Sequence, residues 1–299
     1  MAGARPITAR WVARNLPPRP DRAHKGDFGR VLVVGGSIEF PGAALLAGLG
    51  AMRAGAGLVR VAAAGSVVAR LSSAVPELTW SALDEEAPGL IAPGGWRRAT
   101  ADAATVDAVV IGPGLGRQGA TLRRARQLIS GVHVPAVVDA DGLNALAESA
   151  RWWQGVRATL VLTPHPGEFT RLTHEAMPDA EDDDGRADAA VAAAGRWGQV
   201  VVLKGARTVI ANPNGEAMRA DVATAALATA GSGDVLSGAI GALLAAGAEP
   251  FVAAACGVAL HGAAGLTAAD RIGTAGTMAR DIADLLPSAI TQLRGDRAG

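Results

Sequence analysis

The sequence predicts a single α/β domain, with a mainly parallel central sheet flanked by helices and a small antiparallel hairpin. Two observations predict the α/β class. Short valine-rich apolar runs alternate with helix-like segments along most of the chain, as in strand–helix–strand units with parallel strands. Many of the 39 glycines also stand at the ends of those apolar runs, where ligands collect in such sheets.

The first strand–helix–strand unit shows the pattern most plainly. Residues 30–36 form a buried apolar run that ends in a glycine turn, and Pro41-Gly42 opens a helical pattern that continues to Arg53. Gly55 and Gly57 end that helix, and residues 58–62 begin the next strand. Parallel strands joined in this way imply a right-handed crossover.

The same alternation continues to the end of the chain. Further strands are predicted at residues 108–111, 136–139, 159–162 and 200–203, and closing helices at 251–269 and 278–286. Asn212-Pro213-Asn214-Gly215 separates two short strand-like runs, which is a hairpin signal and predicts that part of the sheet is antiparallel. The acidic stretch from residue 178 to 188 is expected to be a solvated surface loop.

Composition limits the domain organisation and the class of partner. Residues 1–29 are expected to be an N-terminal arm and residues 30–290 one domain, since no linker or repeat divides them. The formal net charge is zero, which argues against nucleic acid or an anionic membrane as a partner. A single cysteine excludes an internal disulfide, and no apolar run suits a signal peptide or a membrane span. We therefore expect a cytoplasmic protein.

The stretch from Ala228 to Ala245 carries the strongest functional signal. Gly231-Ser232-Gly233 leads into an apolar helical pattern, and a helix N-terminus offers free N–H donors and the positive end of its dipole to an anion. Asp234 stands at this junction. Its carboxylate either caps the helix or acts as a general base beside a bound phosphate, and the stretch alone favours neither.

Other candidate residues also fall at predicted strand ends, and each has two interpretations. Asp139 and Asp141 either cap the helix that follows or belong to a site. His165, between two prolines, either bonds to the backbone or faces a ligand. Lys204 is either a cation near phosphate or a surface lysine. The glycines at 112, 114 and 116 do not have the spacing of the dinucleotide fingerprint, and no Walker sequence is present.

A set of motifs in a fixed order resembles one known family. Those motifs are His24-Lys25-Gly26-Asp27-Phe28-Gly29, Gly42-Ala43-Ala44, Arg53-Ala54-Gly55-Ala56-Gly57, Ile111-Gly112-Pro113-Gly114-Leu115-Gly116, Leu162-Thr163-Pro164-His165-Pro166-Gly167-Glu168, Lys204-Gly205 and Gly231-Ser232-Gly233-Asp234. From about Leu16 to Leu286 the chain resembles the ADP-dependent NAD(P)H-hydrate dehydratases of the ribokinase-like superfamily. The Thr-Pro-His-Pro-Gly-Glu stretch is the most specific motif, because ordinary sugar kinases lack it. We expect the chain to lack the epimerase domain of bifunctional relatives.

The resemblance implies a repair reaction. ADP phosphorylates the ring hydroxyl of hydrated NADH or NADPH, and the phosphate then leaves to restore the cofactor, with AMP and phosphate as by-products. Phosphate is a far better leaving group than hydroxide. Magnesium bridging the phosphates is expected from phosphoryl-transfer chemistry. The family also suggests a homo-oligomer, and the sequence leaves open whether ADP or ATP is the donor.

The resemblance also implies roles for individual residues. Asp234 contacts the hydrated ring and is the base for its hydroxyl. The hydrated dinucleotide is lined by Ala43, Ala44, Gly114 and His165. The nucleotide is bound by Lys204, Gly205, Ala206, Arg207, Thr208, Gly231, Ser232 and Gly233. The metal ligands, the preference between the two hydrates, and the roles of Asp139, Asp141 and Asn144 stay open.

The chain departs from the family pattern at one motif, and two other functions were considered. Many relatives have Gly-Gly-Thr-Gly-Asp where this chain has Ala230-Gly231-Ser232-Gly233-Asp234; serine keeps the hydroxyl, and Ala230 restricts the loop. The nearer rival is a kinase of the same superfamily that acts on a hydroxymethyl-pyrimidine, a thiazole alcohol or a sugar. The other is a non-catalytic nucleotide-binding protein, which would be expected to have lost Asp234.

Overall fold

The computed structural model describes residues 3–295. The strands are β1 (Arg5–Pro6), β2 (Arg30–Val34), β3 (Leu58–Ala64), β4 (Thr79–Leu83), β5 (Glu85–Ala87), β6 (Leu90–Ile91), β7 (Ala108–Ile111), β8 (Ala136–Val138), β9 (Leu160–Leu162), β10 (Val200–Leu203), β11 (Thr208–Ala211) and β12 (Ala217–Ala220). The helices are α1 (Ala9–Asn15), α2 (Pro41–Arg53), α3 (Gly65–Leu71), α4 (Pro93–Ala103), α5 (Gly119–Gly131), α6 (Asp141–Ala147), α7 (Pro166–Thr173), α8 (Asp183–Trp197), α9 (Ser232–Ala245), α10 (Pro250–Arg271) and α11 (Ala279–Gly295).

The central sheet has ten strands in the order β1-β12-β11-β10-β9-β8-β7-β2-β3-β4. The strands from β10 to β4 are parallel to their neighbours, whereas β11 is antiparallel to both β10 and β12. A separate antiparallel pair is formed by β5 and β6. The predicted α/β class, the parallel sheet and the antiparallel hairpin are confirmed.

The core lies on both faces of the sheet because side chains of a strand alternate between them. Val31 and Val33 of β2 face one cluster, which includes residues of α2, α9, α10 and α11. Leu32 and Val34 face the other, which includes residues of α4, α5, α6 and α8. These strands are buried on both sides, as expected of a parallel sheet covered by helices.

The start of α9 is held against α2 by close backbone packing. A side chain at Gly238 would collide with the carbonyl of Ala47, so only glycine permits this approach. The contact fixes the N-terminus of α9, with Asp234 in its first turn, beside the sheet edge where β8 and β10 end.

The acidic stretch differs from its prediction. Residues from Asp183 onward form the beginning of α8 rather than a surface loop, and Asp182 caps this helix by accepting a 2.9 Å hydrogen bond at Oδ1 from the N–H of Gly185. The prediction is wrong for this half of the stretch. Acidic side chains stabilise a helix N-terminus through its dipole, so their clustering indicated a helix start.

Two further segments add detail. In the predicted arm, β1 pairs with β12, and Val12 and Ala13 of α1 are buried. Helix α10 is long and apolar enough to cross a membrane by composition, with a mean hydropathy of 1.6, but 72 % of that apolar window is buried inside the protein. Cys256 lies on α10 and is buried, as predicted for a core residue.

Candidate active site at the carboxyl edge of the sheet

Lys204 lies at the centre of a charged cluster rather than on the surface. Its Nζ lies 2.9 Å from Oδ1 of Asp139 and 3.8 Å from Oε2 of Glu168. Burial lowers the pKa of Lys204, but the two carboxylates more than offset this and leave the pKa raised. The ammonium therefore stays charged, and the surface interpretation of this residue is wrong.

Asp139 is a buried anchor and does not cap α6. Besides Lys204, it accepts a 2.5 Å hydrogen bond at Oδ2 from the hydroxyl of Ser237 on α9. Burial raises the pKa of Asp139, but Lys204 and these hydrogen bonds outweigh burial and lower it. The N-cap position belongs to Ala140, at φ 48° and ψ −115°, a strained backbone for alanine. Asp139 thus ties Lys204 to α9.

Asp234 differs from Asp139 in having no partner. It is half-buried, and within residues 3–295 no group donates a hydrogen bond to its carboxylate. Burial raises its pKa, Asp139 and Asp141 raise it further, and the pKa reaches about 8 from an ordinary value of 3.8. The geometry does not give Asp234 a capping hydrogen bond, so its carboxylate is free to meet a ligand.

The turn before Asp234 exposes backbone donors. Gly231 adopts φ 85°, where L side chains are strained, and is the N-cap of α9. A Cβ on Gly233 would lie 3.4 Å from Nζ of Lys204. The Lys204 ammonium borders the helix N-terminus here, and Oδ2 of Asp139 lies 3.9 Å from the same Cβ position. The free N–H groups at the helix N-terminus suit an anion.

A cavity of about 710 Å³ opens beside this helix N-terminus. Of the predicted nucleotide-binding residues, Lys204, Gly205, Ala206, Thr208, Ser232 and Gly233 line it, whereas Gly231 and Arg207 do not. The Arg207 side chain instead pairs with Asp183. The remaining walls are mainly small apolar residues that the sequence did not indicate: Ala220, Val222, Ala223, Ala225, Leu227, Ala228, Leu236, Val258 and Gly262.

His165 bonds to the backbone, which was one of its two sequence interpretations. Its Nδ1 accepts a 3.0 Å hydrogen bond from the N–H of Gly167, and its own N–H donates to Oε2 of Glu168 at 2.9 Å, so it caps α7. Its side chain is still 50 % exposed and borders the large cavity. Burial, then Lys204 and Arg171, lowers the pKa of His165, which keeps the ring neutral.

The other predicted substrate residues do not line the large cavity. A Cβ on Gly114 would lie 2.8 Å from Cβ of Ala43 and 2.5 Å from the carbonyl oxygen of Phe40. Ala43 is partly exposed, but Ala44 is only 1 % exposed and packs in the core. Of the two alanines, therefore, only Ala43 offers a side-chain surface to a ligand.

A network of hydrogen bonds joins the loop at residues 112–116 to helices α6 and α7. Asp141 accepts hydrogen bonds from the N–H of Gly116 at 2.9 Å and from Nδ2 of Asn144 at 3.1 Å. Oδ1 of Asn144 accepts from Nε of Arg171 at 3.0 Å. We define the glycine-loop face as Ala43, residues 112–116, Asp141, Asn144 and Arg171. Four further residues of the site were not predicted from the sequence: Glu168, Arg171, Ser237 and His261. Glu168 and Ser237 stand within segments that the sequence did single out, whereas Arg171 and His261 do not.

Comparison with known proteins places this geometry in a family. A family model for NAD(P)H-hydrate dehydratase matches residues 31–288. The ADP-dependent (S)-NAD(P)H-hydrate dehydratase of Xanthomonas campestris is 37 % identical over 294 residues, which cover 98 % of this chain and 99 % of that protein. The bifunctional NAD(P)H-hydrate repair enzyme of Moorella thermoacetica is 44 % identical over 96 % of this chain, which spans about half, 54 %, of that protein's length.

A solved structure agrees with the sequence matches. The crystal structure of an ADP/ATP-dependent NAD(P)H-hydrate dehydratase from Bacillus subtilis, co-crystallised with ATP and Mg²⁺, has a TM-score of 0.83 at 33 % identity and covers 98 % of this chain and 100 % of its own. The match extends over nearly the whole chain. The chain belongs to the NAD(P)H-hydrate dehydratase family.

Proposed function

We propose that this protein is a hydro-lyase that converts (6S)-NADH or (6S)-NADPH hydrate back to the reduced cofactor at the expense of ADP or ATP. The observation that carries the proposal is the position of Asp234. Its half-buried, unpartnered carboxylate lies in the first turn of α9, directly after Ser232 and Gly233 of the cavity wall. It is also close enough to Asp141 of the glycine-loop face for that charge to raise its pKa. A nucleotide in the cavity and a hydrated dinucleotide on the glycine-loop face would meet at this carboxylate.

The first step is phosphoryl transfer to the ring hydroxyl. Asp234 accepts the hydroxyl proton as the oxygen attacks the terminal phosphorus of the nucleotide, and the bond from that phosphorus to the bridging oxygen breaks. ADP thereby becomes AMP. A base with a pKa of about 8 is well matched to a weakly acidic alcohol near neutral pH.

The anion site stabilises charge on the phosphate during this transfer. The free N–H groups at the start of α9 and the Lys204 ammonium point into the same space. Donors fixed by the fold need no reorganisation when charge develops, which is the largest source of rate enhancement in many enzymes. Asp139 contributes by holding Lys204, at 2.9 Å, in that position.

The second step is elimination. The ring carbon–oxygen bond breaks with the electron pair leaving on phosphate, and the adjacent ring carbon releases a proton to water as the double bond forms. Hydroxide would leave poorly from the same carbon. Phosphorylation therefore supplies the leaving group that makes dehydration possible.

Magnesium is part of the proposal. Across residues 3–295, no group of three His, Cys, Asp or Glu residues comes together as a metal site. Mg²⁺ usually binds through substrate phosphates with one or two carboxylates, so the ion would enter with the nucleotide. Bound Mg²⁺ would neutralise phosphate charge.

Other expectations from the sequence stand as proposals. The zero net charge supports small-molecule partners rather than nucleic acid or a membrane. A cytoplasmic location is proposed from the single cysteine, which suits a reducing compartment. A homo-oligomer is proposed from family resemblance, with residues 30–290 as the catalytic domain and residues 1–29 as its arm. Analytical ultracentrifugation of the purified chain tests the oligomeric state.

The decisive experiment supplies hydrated NADH with ADP, with ATP or with no nucleotide. We expect the absorbance of reduced nicotinamide to return only when a nucleotide is present, with one phosphate released per cofactor. Accumulation of a stable phosphorylated product without reduced cofactor would support the kinase alternative. Nucleotide binding without any turnover would support the non-catalytic one.

A further inference from the structure

His261 is a buried histidine to which the reaction above assigns no role. It lies on α10, a helix composed almost entirely of apolar residues, and is only 8 % exposed. Its ring borders the large cavity together with Val258 and Gly262. An imidazole costs free energy to bury unless its nitrogen atoms have partners, so its contacts identify its role.

The partner of His261 is Ser232, the first residue of α9. One ring nitrogen, Nε2, lies 2.9 Å from the Ser232 hydroxyl oxygen and 3.0 Å from the Ser232 carbonyl oxygen. A carbonyl oxygen can only accept a hydrogen bond. Nε2 must therefore carry the hydrogen, because the other tautomer would place a ring lone pair against the carbonyl oxygen.

This tautomer determines the direction of the serine hydroxyl. The hydroxyl oxygen faces the Nε2–H group and presents a lone pair to it, so the hydroxyl hydrogen must point elsewhere. Ser232 lines the cavity, and in the described range its hydroxyl has no hydrogen-bond partner other than His261. The hydrogen is thus available to a ligand at the start of α9.

We propose that His261 is a positioning residue that turns the Ser232 hydroxyl into a donor toward the terminal phosphate of the bound nucleotide. The proposal rests on the proposed function for the identity of that nucleotide. Burial lowers the pKa of His261 to about 4, so the ring stays neutral at physiological pH and its Nδ1 remains without a hydrogen.

A matched series of variants tests this role by nucleotide binding. His261→Leu keeps a similar volume and removes the donor. His261→Gln restores an N–H donor at the position of Nε2, whereas His261→Asn is too short to do so. Ser232→Ala removes the hydroxyl itself. His133→Leu, at an exposed position, is the control for loss of a histidine.

The measurement is the affinity of the full chain for ADP and for AMP by titration calorimetry. We expect His261→Leu, His261→Asn and Ser232→Ala each to weaken ADP binding about 10-fold, the effect of one hydrogen bond to a charged group. AMP affinity should stay within about 2-fold of the wild type, because AMP lacks the terminal phosphate. His261→Gln and His133→Leu should bind ADP nearly as the wild type does.

The double variant Ser232→Ala/His261→Leu separates positioning from wall packing. If His261 acts through the hydroxyl, the double variant should bind ADP as Ser232→Ala does, because residues in one network are not additive. Equal loss of ADP and AMP affinity in His261→Leu, or an additive double variant, would overturn the proposal. If His261→Leu does not fold, the Gln and Asn variants decide by the same criterion.

The tautomer gives an independent readout. Nitrogen-15 spectra of the imidazole side chains should show His261 with hydrogen on Nε2, and a ring protonated on Nδ1 alone would contradict the proposal. Both measurements follow binding and not turnover. An enzyme that failed to dehydrate the hydrate would remove the proposed function, while the contrast between ADP and AMP would still test His261.

Discussion

The large cavity and the glycine-loop face both lie near the N-terminus of α9, share no residue and are built differently. The cavity is walled mainly by small apolar side chains from residues 220–229 and from α10. The glycine-loop face is held by backbone contacts around Gly114 and by the hydrogen bonds of Asp141 and Asn144. Apolar side chains in the cavity wall can be replaced by others of similar size. A glycine packed against backbone, such as Gly114, can be replaced by almost no other residue.

The difference has a consequence for recognition. A wall of alanine, valine and leucine provides shape and excludes water but little direction. The polar face fixes direction through a few hydrogen bonds between α6, α7 and the glycine loop. The two sides should therefore respond separately to substitution, and only groups at the α9 N-terminus should affect both.

The largest expected effect comes from substituting Asp234, which lies near both the large cavity and the glycine-loop face. Asp234→Asn keeps the shape and cannot take the hydroxyl proton, so turnover should fall by about 10²- to 10⁴-fold, as for loss of a general base. ADP affinity should stay near the wild-type value. Steady-state kinetics and calorimetry check both, with the exposed Asp270→Asn as control. Wild-type turnover in Asp234→Asn would contradict the catalytic role.

The second effect is on pH dependence and follows from the raised pKa of Asp234. With a pKa of about 8, kcat/KM for the hydrate should rise with pH and level off above that value. At pH 6 it should be about 100-fold below the plateau, as expected for a single base in the free enzyme. A profile that is flat between pH 6 and 9 would show that this carboxylate does not limit the reaction.

The raised pKa of Asp234 should make the rate increase with pH but the stability of the folded protein decrease with pH. Folding raises the pKa of Asp234 from 3.8 to about 8, so its contribution to stability is fully present below pH 4 and is lost as the pH rises through 8. Asp234→Asn carries no such charge. Its free energy of unfolding relative to the wild type should therefore increase between pH 4 and 8, which denaturant titrations measure; a constant difference would contradict the raised pKa.

A pair of glycine substitutions tests whether the two sides are separate. Gly114→Ala introduces strain at φ +64° and a 2.5 Å contact with the Phe40 carbonyl, and should raise KM for the hydrate about 10-fold, within the usual cost of backbone strain. A Cβ at position 205 would lie 2.5 Å from Nη2 of Arg186, a buried guanidinium that donates a hydrogen bond to the carbonyl of Lys204. Gly205→Ala should therefore raise KM for ADP about 10-fold, the effect of one disturbed hydrogen bond.

The control for this pair is Gly131→Ala, whose added Cβ would meet nothing within 4 Å. It should leave both Michaelis constants unchanged. If Gly114→Ala and Gly205→Ala each raise both constants equally, the cavity and the glycine-loop face are not independent.

The smallest effect concerns His165, which borders the large cavity but is assigned to the dinucleotide. His165→Asn retains a good helix cap and removes the exposed edge of the ring. KM for the hydrate should rise about 3- to 10-fold, as for one lost hydrogen bond, with KM for ADP unchanged. If only KM for ADP rises, His165 contacts the nucleotide and not the hydrated dinucleotide.

Prediction from the sequence was most accurate where a residue type strongly favours one backbone conformation. The predicted strands at 108–111 and 200–203 match β7 and β10, because continuous valine runs have few alternatives to a buried strand. The antiparallel hairpin followed from Asn212–Gly215 for the same reason. Residues 65–106, which form α3, α4 and β4 to β6, lack such signals and were not assigned.

The site was predictable only in part. The glycine turn before Asp234 and the motif around His165 were visible, since glycine, proline and capping residues act over a few neighbours. The partnership of Asp139 with Lys204 joins residues 65 positions apart, and that of Ser237 with Asp139 joins residues 98 apart. Neither spacing follows from local pattern.

By itself, the sequence determined the α/β class, the order of the strands along the chain, and the turns that lie at the carboxyl edge of the sheet. These depend on hydrophobic periodicity and backbone preference, which are local. Tertiary structure alone decided which carboxylate is held ionised in an ion pair and which is left without a partner. Asp139 is paired with Lys204 and has a lowered pKa, whereas Asp234 is unpartnered and its pKa rises to about 8. Burial and the distance between charges set that difference, and both arise only when distant strands and helices pack together.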